Sequence, residues 1–154
     1  MSKSRVWRLT RRWRRDDVGY IFMVRDTRGV MGSAARRGRD IDRMLRRHKK
    51  WMNRYLSFVE DKRGRGLIVH YEDLCRDPAS QLRRVCAFIG LDFHPRMLRP
   101  ADAQHHFVHS SASPYLKGTN EIRLDERWQE DLTPEQIDNI ERVMETIQVF
   151  QPRR

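Results

Sequence analysis

Tyr20-Ile-Phe-Met-Val-Arg-Asp-Thr-Arg-Gly-Val-Met-Gly-Ser-Ala-Ala35 is the stretch around which the rest of the chain is read. Its first five residues, Tyr20 to Val24, are aromatic, β-branched and free of polar interruption, the pattern of a buried strand. Charge enters at Arg25 and Asp26, Gly29 loosens a turn, and Gly32, Ser33, Ala34 and Ala35 read as the first turns of a helix. In open α/β sheets a strand-to-helix junction of this kind, at the carboxyl end of the strand, is where ligands sit. With Arg25 at its mouth, the guest it suits is an anion. Ser33 lies eight positions after Arg25, where a helix folding back over the sheet edge brings its hydroxyl near the guanidinium. A planar fork of donors plus a hydroxyl matches a phosphate monoester better than a carboxylate. The plainer use of the same residues is that Arg25 pairs with Asp26 or a sheet neighbour and Ser33 packs closely.

Downstream, Ile41, Met44, Leu45, Trp51, Met52, Tyr55, Leu56 and Val59 recur at helical spacing and predict a long helix from Asp40 to about Lys62 with one apolar face. Arg43, Arg46, Arg47, Lys49, Lys50 and Arg54 make its other face densely positive. That face is either the wet side of the helix or a groove for a sulfated or phosphorylated polymer. Lys62 to Gly66 reads as a turn and Leu67-Ile-Val-His-Tyr71 as the second strand, so strand, helix and strand make a parallel crossover. Asp77 as N-cap, Pro78 at the first position and Gly90 as the stop frame a further helix, with Leu82, Val85, Cys86 and Ile89 as its buried stripe. Thr133-Pro-Glu-Gln136 is a capping box that opens a final amphipathic helix through Ile137, Ile140, Val143, Met144 and Ile147 and closes the core.

Val24-Arg25-Asp26-Thr27-Arg28 followed by Ser33 resembles the 3′-phosphate-binding segment of sulfotransferases that use 3′-phosphoadenosine 5′-phosphosulfate. Thr27 stands where that family often has Pro. Tyr71-Glu72-Asp73-Leu74, then Asp77-Pro78, then Leu82 through Phe88-Ile89-Gly90-Leu91 is similar to a second block of the family, whose Tyr contacts the adenine. The resemblance gives Tyr71 that role; otherwise it caps the sheet end. Pro114 to Trp128 resembles a third block, in which a basic-Gly segment closes over the 3′-phosphate and a Trp follows. It makes Lys117, Gly118 and Arg123 candidates for binding the nucleotide. Leu116 departs from the Arg-Lys-Gly triplet of the cytosolic class, and Arg123 either compensates or belongs to a salt bridge with Asp125 or Glu126.

The chain has 154 residues, enough for one domain with a real core. Lys and Arg number 32 against 21 Asp and Glu, a formal net charge of +11, which draws polyanions, nucleotides or anionic membranes. Residues 1–18 form a basic arm in which Arg5, Arg8, Arg11, Arg12, Arg14 and Arg15 alternate with Trp7, Leu9 and Trp13. It reads as a solvated, poorly ordered terminus or as a single-strand nucleic-acid binder. Residues 19–150 form the sulfotransferase-like domain. Cys75 and Cys86 lack metal-ligand spacing and read as free thiols in a reducing compartment. No stretch serves as a signal peptide or membrane span, so the expectation is a cytoplasmic protein, unlike an anchored, Golgi-type sulfotransferase. His105, His106 and His109 cluster, but Asp102 is the only carboxylate nearby and no metal site is expected.

The resemblance implies an α/β fold, a partial P-loop-like (sulfotransferase) three-layer arrangement with a small parallel sheet and flanking helices. It implies transfer of a sulfuryl group from 3′-phosphoadenosine 5′-phosphosulfate to an acceptor hydroxyl or amine, with the nucleotide donor and that acceptor as partners. Two parts of the family's machinery have no counterpart in the sequence. The Gly-rich loop for the 5′-phosphosulfate has no place before Tyr20, where the only glycine is Gly19. Asp16 and Asp17 lie among arginines that keep them ionised and weakly basic, so no general base is assigned. The expectation is therefore a truncated member, with catalysis in doubt. The alternative is a non-catalytic basic protein that binds nucleic acid or another polyanion.

Overall fold

The computed structural model describes residues 19–60, 65–102, 120 and 122–147. The basic arm, the histidine cluster, Lys117 and Gly118 lie outside the described residues. The chain forms two compact units, one built from residues up to 68 together with 125 onward, the other from residues 69–124.

β1 (Gly19–Val24) pairs with β2 (Arg65–His70), whose residues up to 68 belong to the first unit, in a two-stranded parallel sheet. The crossover between them carries α1 (Thr27–Ala35) and α2 (Ile41–Glu60). This is the expected α/β architecture of a small parallel sheet with flanking helices. β1 is not buried throughout, however. Val24 is 4% exposed, whereas Ile21 and Met23 are 44% and 59% exposed. The covered face belongs to Val24, Met52 and Ile147, with Tyr55, Ile68 and Val143 packed against them. Phe22 adds a ring contact with Tyr55 at 5.1 Å. An apolar run in the sequence shows that a strand is hydrophobic, but not whether anything covers its second face.

α1 begins directly after the strand, so Gly29 lies inside the helix and does not loosen a turn before it. Asp26 is the N-cap, its Oδ1 accepting the N–H of Arg28 at 2.8 Å. Met31 of α1 and Leu45 of α2 meet Leu132 and Ile140 in a second apolar cluster. Leu132 caps the end of α5 (Trp128–Asp131), and Ile140 lies on α6 (Pro134–Met144). The Thr133 capping box forms with both of its hydrogen bonds. α6 ends at Met144, short of the expected Ile147, yet Ile147 is wholly buried just beyond it.

The second unit holds α3 (Tyr71–Arg76), α4 (Pro78–Ile89) and 3₁₀ turns at Pro95–Leu98 and Pro100–Asp102. Tyr71 opens a helix instead of ending the strand, because His70 in extended conformation already serves as the N-cap. α4 has the expected frame: Asp77 Oδ1 accepts the Ser80 N–H, Pro78 sits in the first turn, and Gly90 adopts a left-handed φ of 74° at the stop. Its stripe is narrower than expected, since Cys86 is 4% exposed but Ile89 is 49% exposed. Among the described residues no helix is long and apolar enough to cross a membrane.

Candidate functional site

Arg25 leaves the end of β1 and lays its guanidinium across α1 at Gly29. A Cβ on Gly29 would come 2.7 Å from Arg25 Nε and 3.0 Å from Nη2, so a side chain there would push the guanidinium aside. Gly29, Ser33 and Arg36 are spaced i, i+4, i+7 and share one face of the helix. Ser33 therefore lies one turn along from the Arg25 guanidinium, about 6 Å up the axis, with Arg36 beyond it.

The two guanidinia meet at Asp125. Arg25 Nη2 donates to the Asp125 main-chain oxygen at 2.9 Å and lies 3.2 Å from its Oδ2. Arg36 Nη2 lies 3.7 Å from the same Oδ2, and Arg36 also pairs with Asp131. Arg127 grips the Asp125 carboxylate from the other direction, Nε to Oδ1 at 2.7 Å and Nη2 to Oδ2 at 3.0 Å. The Arg127 hydrogen bonds, with help from Arg25, outweigh partial burial and hold the Asp125 carboxyl well below the usual carboxylate range. Among the described residues, three cations share two carboxylates, Asp125 and Asp131, which leaves one positive charge in excess at the mouth of the strand.

Neighbouring charges are assigned elsewhere. Arg28 takes Asp26 through Nη2 and Oδ2 at 2.6 Å, reaches Glu141 at 2.9 Å, and stacks 4.4 Å from the Trp128 ring. Thr27, where the family often has Pro, is fully buried, and its Oγ1 has no hydrogen-bond partner among the described residues.

Of the other predicted site residues, Tyr71 and Arg123 lie together in the second unit. The Tyr71 hydroxyl donates to the Arg123 carbonyl at 3.4 Å, and Cys75 Sγ lies 3.8 Å from the same oxygen. Arg123 is brought to Tyr71 by its main chain, while the residue itself is exposed. Sequence reasoning passed over Arg36 and read Asp125 only as a salt-bridge partner for Arg123. Arg36 was findable, because it follows Ser33 by three on a helix. Asp125 was not, being 100 residues from Arg25.

Residues 15–95 match the model of the sulfotransferase family, a little over half of the chain. The chain belongs to the sulfotransferase family. That match takes in Arg25, Ser33 and Tyr71 and ends before Lys117, Gly118 and Arg123. Carbohydrate sulfotransferase 2 of Mus musculus and of Homo sapiens are each 37% identical to this sulfotransferase-family chain over 79 residues. Those residues are 51% of this chain and 15% of each relative, so the chain spans a small part of the proteins it matches. No solved structure gives a significant match.

These relatives overturn the expectation of a cytoplasmic protein. That expectation rested on two free thiols and on the start of the chain. A chain that matches 15% of carbohydrate sulfotransferases gives no warrant from where it begins.

Proposed function

We propose that this sulfotransferase-family chain binds 3′-phosphoadenosine 5′-phosphosulfate, with Arg25, Ser33 and Arg36 on the 3′-phosphate, as part of a transfer of its sulfuryl group to an acceptor hydroxyl or amine. The observation that carries the reading is the shared helical face of Gly29, Ser33 and Arg36 with the Arg25 guanidinium laid across its start. The site already attracts an anion, the Asp125 carboxylate. Two bonds from Arg127 keep that carboxylate satisfied, so Arg25 can share its donors with a phosphate without stranding the Asp125 charge, while Arg36 keeps Asp131. Guanidinium forks and a hydroxyl are suited to phosphate oxygens. Tyr71 is proposed for the adenine, with Lys117, Gly118 and Arg123 as further contacts to the nucleotide.

In the transfer, the acceptor oxygen or nitrogen forms a bond to sulfur as the bond from sulfur to the donor's phosphate oxygen breaks. The acceptor proton passes to a base, and cationic groups stabilise the departing phosphate. Arg25, Ser33 and Arg36 act at the other end of the donor, where they fix the position of the nucleotide and add binding energy remote from the reacting bond.

The test is calorimetric titration with adenosine 3′,5′-bisphosphate, and with adenosine 5′-monophosphate at the same salt. The expected result is a preference for the bisphosphate that falls by roughly tenfold or more in Arg25→Ala, in line with the loss of a charged hydrogen bond, and by less in Ser33→Ala. Thermal melts establish that both variants fold. Equal affinity for the two nucleotides, or a preference untouched in a folded Arg25→Ala, overturns the proposal.

A further inference from the structure

On α2, Arg43, Arg46, Arg47, Lys50 and Arg54 are all exposed. At 100° per residue they fall within one arc of about 100°, a stripe about 16 Å long. The opposite face carries Met44, Leu45, Met52 and Tyr55, which are packed into the unit's two apolar clusters. None of the five cationic side chains makes an ion pair or hydrogen bond among the described residues. By contrast, Arg25, Arg28, Arg36 and Arg127 of the same unit are all matched with carboxylates. A merely solvated helix face ordinarily mixes both signs. Here Arg43 with Arg46 and Arg47, Lys50 with Arg46 and Arg47, and Arg54 with Lys50 set five like-charge pairs at i, i+3 and i, i+4. Each of these pairs works against the helix, and a bound polyanion relieves all five together.

We propose that this stripe is a docking surface for an acidic polysaccharide, carboxylated or sulfated, which is the acceptor or the chain that bears it. The acceptor role rests on the sulfotransferase reading above; the surface itself does not need the nucleotide site. Three features select the occupant. Single-stranded nucleic acid is held by aromatic platforms beside the charges, whereas no position of the stripe is aromatic and the nearest ring, Trp51, is half-buried and in contact with Tyr55 at 5.6 Å. A membrane surface requires an apolar face to insert, and that of α2 is already spent on the core. The relatives matched are carbohydrate sulfotransferases, and four of the five cations are arginines, whose forks suit flat oxyanions.

The experiment is a titration of the full chain with heparin, hyaluronan, neutral dextran and a short DNA duplex over a range of salt. It is repeated on the triple variant Arg43→Gln, Arg47→Gln, Lys50→Gln. The control is Arg84→Gln, Arg96→Gln, Arg142→Gln, which removes the same charge from exposed positions elsewhere. Expected are binding to heparin or hyaluronan but not dextran, and a loss of roughly tenfold or more in the stripe variant only. Its slope of log affinity against log salt falls by about 1 for each cation removed. Glutamine keeps helix propensity and relieves repulsion, so the stripe variant folds. Single Arg47→Gln gives an independent reading, a slope change of about 1. Equal losses in the two triple variants, or tighter binding to duplex DNA than to either polysaccharide, overturn the proposal. Adenosine 3′,5′-bisphosphate affinity is unchanged by the stripe variant, so failure of the nucleotide site and failure of this surface are separable.

Discussion

Replacing Gly32 with alanine puts a carbon where α1 and α5 already touch. An ideal Cβ there stands 2.8 Å from both Cα and Cβ of Trp128 and 3.2 Å from Asp131 Oδ2. Carbon contacts are comfortable at about 3.5–4.0 Å, so α5 must retreat by roughly 1 Å. The obstructing atoms are the root of a residue and cannot rotate aside. In an exposed helix, Gly to Ala is worth about 1 kcal/mol in favour of the alanine. Overpacking at a rigid contact costs about 1–3 kcal/mol, so the sign reverses and the expected net loss is about 1 kcal/mol. Gly32→Val, with two more carbons and poorer helix propensity, loses about 3 kcal/mol.

The displacement also reaches the proposed anion site, because α5 carries Asp131, the partner of Arg36, and Trp128, the platform under Arg28. Gly32→Ala is expected to weaken adenosine 3′,5′-bisphosphate binding several-fold while touching no ligand. Denaturant unfolding read by tryptophan fluorescence and circular dichroism gives the first number, and calorimetry gives the second. An alanine variant more stable than wild type shows that the close approach at Trp128 is not what selects glycine. A destabilised variant with unchanged nucleotide affinity cuts the link between α5 and the site.

Asp125 makes stability depend on acid. Its folded pKa is depressed by Arg127 first and Arg25 second, so the stability it supplies is full at neutral pH. Below about pH 4, where an unfolded Asp takes up its proton, that stability drains away as the pH falls. Asp125→Asn flattens the acid limb of a plot of denaturant midpoint against pH; identical limbs in the two proteins contradict the assignment. Asp77→Ala, which removes the oxygen that accepts the Ser80 N–H, is expected to lose about 1 kcal/mol. The loss is read as faster hydrogen exchange in the first turn of α4, and unchanged exchange there refutes it.

How far the sequence could be read depended on the range of the interaction. α4 and α6 were legible almost to the residue because their signals are local. Asp77 and Thr133 bond to N–H groups three residues on, and Gly90 stops a helix by its own backbone conformation. The junction at Arg25 was legible as a place but not as a network, since its central carboxylate arrives from the far end of the chain. β1 was misread in its outer face and Tyr71 in its element for related reasons. Hydrophobicity marks Ile21 and Met23 as strand-like without saying what covers them. An extended His70 can either prolong a strand or cap a helix. The Gly29, Ser33 and Arg36 face needed only the helical repeat, once Gly29 was placed inside the helix.

That last placement bears on how the proposed site would receive a nucleotide phosphate. A free arginine has several rotatable bonds to immobilise when it binds an anion, and each ordered side chain weakens the association by about 0.5–1.5 kcal/mol. Arg25 is already held, laid on the bare backbone at Gly29 and tied to the Asp125 main chain and carboxylate. Arg36 is held by Asp131. The carboxylates thus order the cations before a ligand arrives, and Arg127 keeps Asp125 ionised and in place. On the proposed reading, Asp125 has two opposed effects, preorganising Arg25 and repelling the incoming phosphate. The balance depends on which oxygen matters more. The main-chain oxygen of Asp125, at 2.9 Å from Arg25, survives replacement of the side chain, whereas the repulsion resides in the carboxylate. The orientation of Arg25 is therefore less dependent on the carboxylate than the charge at the site is.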